Sequence, residues 1–91
     1  MNPRNREQLR KAALSFLARR QAYDFDVAAI TFHLKEERRL LFIFTEEDVA
    51  ECLAFLRGME LVTSIEGELG ASVTYKATSK GVLLYERNFA R

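Results

Sequence analysis

Eighteen residues, Thr45 to Val62 (TEEDVAECLAFLRGMELV), constrain this chain most, because a helix begins, runs and ends inside them. The Thr45 hydroxyl suits an N-cap, where it accepts from one of the first unpaired N–H groups. Glu46, Glu47 and Asp48 then set negative charge against the positive end of the helix dipole. Val49, Cys52, Leu53 and Leu56 recur at helical spacing and predict one buried stripe. Gly58 is expected to take the left-handed conformation that stops a helix, after which Met59-Glu60-Leu61-Val62 becomes extended. A helix over 45–58 follows, with Glu47, Ala50, Glu51, Ala54 and Arg57 on its outer side.

The rest of the chain reads outward from that helix. Leu9, Ala12, Ala13, Phe16 and Leu17 form an amphipathic series, which predicts a helix over 5–21 capped by Asn2 or Asn5. Tyr23-Asp24-Phe25 reads as a short extended link and Asp26 as the next N-cap. Val27, Ile30, Thr31 and Leu34 make a helical stripe over 26–37, yet Ile30, Phe32 and Leu34 also alternate as a strand would. Residues 30–44 are therefore open to two readings: helix plus extended segment, or hairpin. Helix is preferred, since no Gly, Asn or Asp occupies the turn a hairpin would need at 35–39.

Arg38 to Phe44 (RRLLFIF) is rich in β-formers and reads as extended. After the central helix, Leu61–Glu66 and Ala71–Thr78 flank Gly67-Glu68-Leu69-Gly70 and predict an antiparallel hairpin over about 61–78, with Val73, Tyr75 and Ala77 on its inner face. Thr78-Ser79 caps a short last helix, Lys80 to Asn88, with Val82, Leu83, Tyr85 and Phe89 as packing candidates. The predicted core is Leu9, Phe16, Ile30, Leu34, Val49, Leu53, Leu56, Val62 and Tyr75.

A chain of 91 residues supports one core, so residues 1–91 are expected to form a single domain. One Cys allows no internal disulfide, and the first twenty residues are charged rather than signal-like. The longest apolar run, Leu40–Phe44, falls far below the roughly 20 residues that span a bilayer. A soluble cytoplasmic protein with no membrane contact is the expectation.

The order helix, link, helix, helix, hairpin, together with Leu61-Val62 and Tyr75-Lys76-Ala77-Thr78-Ser79-Lys80-Gly81, resembles the winged-helix family of small bacterial and phage regulators. Those proteins often close the wing with a Tyr-x-x-Thr-x-x-Gly segment. The resemblance spans roughly Arg6 to Tyr85, and it implies an α+β winged helix-turn-helix: a three-helix core, a C-terminal hairpin wing and a short terminal helix. It also implies DNA binding, with the third helix in the major groove, the wing on the backbone, and often a homodimer. The segment 38–44 departs from the pattern, being long for a helix-turn-helix turn of three or four residues.

Carried onto this chain, the nucleic-acid-binding residues would be Lys35, Arg38, Arg39, Ala50, Glu51, Ala54, Arg57 and Lys76. Cations displace counterions, whereas Glu47 and Glu51 repel phosphate; a Glu can still accept from cytosine N4, and an Ala can meet a thymine methyl. Charge is lopsided: residues 1–20 carry six cations against Glu7, and residues 45–68 carry seven acids against Arg57. The alternative is therefore a winged-helix module that binds another protein and no DNA. His33 lacks companions at metal-ligand spacing, and Cys52 sits on the buried stripe with no local base to activate it. No phosphate loop, dinucleotide fingerprint or nucleophile elbow occurs, so neither enzyme activity nor a small-molecule cofactor is expected. Phe32 and the run Leu40–Phe44 complete the core on one reading; on the other they form a patch for a second subunit or another protein.

Overall fold

The computed structural model describes residues 1–70 and 72–88. Helix α1 spans Pro3–Arg19, α2 Val27–Glu37 and α3 Glu46–Gly58; strands β1 (Val62–Glu66) and β2 (Val73–Ala77) pair antiparallel, and α4 (Ser79–Asn88) follows. The three main helices lie within two residues of their expected bounds. Ala71 and Phe89, assigned above to a strand and a packing role, lie outside the described residues.

The core is organised around α1, which touches α2, α3, α4 and β2. Asn2 caps it, its side-chain oxygen accepting from Asn5 N–H at 2.8 Å, with Pro3 in the first turn. Leu9, Ala13, Phe16 and Leu17 are buried as the periodicity requires. Leu14 and Ala18 are buried too, because a helix covered on several sides needs a wider apolar arc than a surface helix.

Helix α2 resolves the ambiguity over 30–44. Asp26 caps it by accepting from Ala29 N–H at 2.7 Å. Ile30, Thr31 and Leu34 are buried while Phe32 is 60% exposed, the separation a helix imposes and an alternating strand forbids. Arg38 then turns the chain with φ of 53°, a left-handed residue with no glycine available. The connection to α3 is unpaired and bends at Phe42 rather than forming a strand.

Helix α3 opens with a reciprocal box: Thr45 Oγ1 accepts from Asp48 N–H at 3.3 Å, and Asp48 Oδ2 accepts from Thr45 N–H at 2.9 Å. Its end corrects the sequence reading. Gly58 remains helical, and the left-handed residue is Glu60, with φ of 63°. Leu61 N–H reaches Leu56 O at 2.9 Å and Glu60 N–H reaches Arg57 O at 2.9 Å, the paired bonds of a Schellman ending. Leu56 and Leu61, which flank this ending, are both buried and line one cleft, which seats the turn so that Glu tolerates a place glycine usually holds.

The hairpin pairs Val62 with Ala77 through to Glu66 with Val73. Val62 and Ala77 are buried at its base, Tyr75 packs half-buried against the core, and Val73 is exposed. Tyr75 was expected to be largely buried; it lies against the core on the expected face but remains half-buried. Beyond β2, Phe25 joins the sheet through a single bridge, Phe25 N–H to Tyr75 O at 3.0 Å and Tyr75 N–H to Phe25 O at 2.7 Å. The Thr74 hydroxyl donates to the Asp24 carboxylate beside it.

Thr78 fastens α4 to the end of α3. Its Oγ1 accepts from Gly81 N–H at 3.0 Å and donates to Glu60 O at 2.7 Å, while its own N–H donates to Leu61 O at 3.1 Å. Gly81 is buried so tightly there that a Cβ would stand 2.0 Å from Leu61 O.

Candidate nucleic-acid interface

The buried stripe of α3 (Val49, Cys52, Leu53, Leu56) fixes which side is left for a ligand. Opposite it, Glu47, Glu51, Ala54 and Gly58 are exposed at i, i+4, i+7 and i+11 spacing. Ala50 and Arg57 flank this strip on one side, Ala50 half-buried and Arg57 exposed. Small residues along the strip allow close approach of a flat partner, and the acids gather at the N-terminal half.

Those acids differ in what they do. Asp48 is consumed by the cap described above. Glu46 and Glu47 are exposed and form no ion pair among the described residues. Glu51 faces the α1 side, lining a cleft of about 220 Å³ with Arg6, Arg10, Asp48 and Cys52. The repulsion it offers a phosphate is therefore tempered by two cations of α1. Burial pushes the Cys52 thiol above its ordinary pKa, with Arg10 pulling the other way, so the thiol stays protonated and packs as a small hydrophobe.

The predicted cations do not converge on one point. Lys35 lies beside the α2–α3 connection, its Nζ 5.6 Å from the Phe44 ring centroid. Arg38 borders the same connection. Arg39 turns instead to a cleft between α1 and α2, with Lys11, Ser15, Arg19 and Glu37. Arg57 rides on the last turn of α3, and Lys76 is half-buried on β2 opposite Thr63. Arg19 is held by Glu37 at 2.9 Å, an ion pair that joins the ends of α1 and α2.

Two features escaped the sequence reading. Arg10 lays its guanidinium 3.5 Å from the Phe55 ring centroid, so a basic residue of α1 covers an aromatic of α3. The spacing of α1 placed Arg10 on the polar face but gave no sign of its partner. His33 is half-buried in a ring cluster, 5.2 Å from Phe16 and 6.2 Å from Phe25 between centroids.

Solved structures share this arrangement. A transcriptional regulator from Clostridium thermocellum, Cth-833, superposes with a TM-score of 0.73 at 21% identity, over 90% of this chain and 77% of that one. Lactococcus lactis ZitR, as its C30AH42A mutant, superposes with a TM-score of 0.68 at 22% identity, over 88% of this chain and 48% of its own. The fold is a winged helix-turn-helix. The chain spans about half the length of the ZitR chains it matches. No protein-family model matches the sequence, and no curated protein matches it at a significant level. Among the described residues no helix is long and apolar enough to cross a membrane.

Proposed function

We propose that this chain is a small DNA-binding transcriptional regulator of the winged-helix type, acting as a homodimer and without a catalytic role. The supporting observation is the fold likeness over 90% of the chain to a transcriptional regulator, with the outer side of α3 left uncovered beside the hairpin. On this reading Ala50, Ala54 and Glu51 meet base edges: the alanines suit thymine methyls, and the carboxylate accepts from cytosine. Lys35, Arg39, Arg57 and Lys76 supply phosphate contacts, with Arg38 at their edge; they are too few in one copy for tight binding and are doubled in a dimer. The acids at the start of α3 keep nonspecific affinity low, so discrimination rests on base contacts.

The test is anisotropy of a labelled duplex titrated at two salt concentrations. Glu47→Gln with Glu51→Gln is expected to strengthen nonspecific binding and leave the fold intact, since both side chains are exposed. Arg39→Ala with Arg57→Ala is expected to weaken binding to every sequence, and to flatten the log–log salt slope by about 0.9 per lost phosphate contact. Absence of duplex binding by the wild type at about 50 mM salt would refute the proposal. It would leave a winged-helix module whose partner is a protein.

A further inference from the structure

The connection between α2 and α3 holds apolar side chains in water. Leu41 and Ile43 are 96% and 94% exposed, one on each side of the bend at Phe42. Beneath them Phe42 and the buried Phe44 pack ring to ring, 6.1 Å between centroids, which makes a supported knuckle rather than a loose loop. Among the described residues no backbone hydrogen bond involves positions 39–44. A groove of about 410 Å³ runs along the knuckle, bordered by Leu34, Lys35 and Arg38. Scattered exposed hydrophobes are ordinary, but two neighbouring aliphatics on a supported turn form a patch.

Charge says what covers it. Arg38 and Arg39 precede the patch, Glu46 and Glu47 follow it, and all four are exposed. None of the four forms an ion pair among the described residues. The order basic, apolar, acidic is its own complement when reversed. We infer that this knuckle docks onto the same knuckle of a second copy, antiparallel about a two-fold axis at Phe42. Leu41 then meets Ile43 of the other copy, and Arg38 meets its Glu46, each contact occurring twice as an isologous interface requires. An anionic membrane would welcome the arginines and the aliphatics but not the adjacent pair of glutamates. The patch is small beside the roughly 800 Å² per partner of a standard interface, so the dimer is weak, with a dissociation constant on the order of tens of micromolar.

Sedimentation velocity of the whole chain, without nucleic acid, tests this separately from DNA binding. The wild type is expected to pass from monomer to dimer between about 5 and 500 µM. Leu41→Glu with Ile43→Glu is expected to abolish the dimer, with circular dichroism and melting unchanged because both positions are exposed. Arg38→Glu alone is expected to weaken association by about ten-fold or more, and adding Glu46→Arg to restore it. A wild type that stays monomeric overturns the inference, as does a dimer indifferent to Leu41 and Ile43, which would lie on another face. Failure of the charge swap to restore association overturns the antiparallel arrangement. Wild-type binding to phosphatidylserine vesicles, lost in the Leu41→Glu/Ile43→Glu variant and seen without any dimer, overturns it in favour of a lipid surface.

Discussion

Two glycines in helices, Gly58 and Gly81, are expected to respond to alanine with opposite signs. Helix propensity alone treats them alike, favouring Ala by up to about 1 kcal/mol at each. Gly58 is helical, with nothing within 4 Å of an added Cβ. Gly58→Ala should therefore stabilise by about 0.5–1 kcal/mol, partly by restricting the unfolded chain. At Gly81 the new methyl would stand 2.0 Å from Leu61 O and 3.3 Å from a Leu14 methyl. To relieve it α4 must retreat from Leu61 by about 1 Å, an overpacking strain of about 1–3 kcal/mol. The retreat also pulls on the Thr78 N–H bond to the same carbonyl, adding about 1 kcal/mol. Net destabilisation of about 1–3 kcal/mol is expected once propensity is credited, a fall in Tm of about 5 °C or more for a domain this size. Urea unfolding followed at 222 nm measures both, with unchanged m-values certifying that only stability moved. Gly81→Ala at or above wild-type stability would mean that α4 does not seat on the Leu61 carbonyl. A destabilising Gly58→Ala would return the left-handed residue from Glu60 to Gly58.

Leu53, fully buried at the centre of the α3 stripe, should cost about 2–5 kcal/mol when replaced by Ala; a loss below about 1 kcal/mol in denaturant titration would place the stripe elsewhere. The folded Cys52 thiol has a pKa above its unfolded value, so its contribution to stability is complete below about pH 8.5 and is lost as pH rises beyond it. Cys52→Ala should flatten that alkaline decline, and a thiol reagent at pH 8 should label the native wild type only as fast as it opens; rapid native labelling would refute this.

Periodicity and caps made most of the fold legible. Thr45, Asp26 and Asn2 mark helix starts because a short polar side chain before an apolar series has one obvious use. The ends were harder to read. Gly58 attracted the stop signal, yet the turn is made at Glu60, where bonds back to Leu56 and Arg57 outweigh the residue's own preference. Arg38 repeats the point at the end of α2. Tyr75 was placed inside by alternation, which reports a strand's two faces but not how far the strand stands from the core. The candidate interface was legible only as a helix face. Arg39 turning toward α1, and Glu51 toward Arg6 and Arg10, depend on how helices pack, which no local pattern encodes.

The single rung between Phe25 and Tyr75 has a consequence for motion. It fastens positions 50 residues apart, so α2 and α3 are held inside a closed circuit of chain whose clasp is on the hairpin. Closing a loop that long costs entropy that must be recovered elsewhere, which ties hairpin formation to the helices already being packed. The hairpin is thus no free lever. Any swing that brings its tip toward a curved surface drags Phe25 and, one residue on, the Asp26 cap of α2.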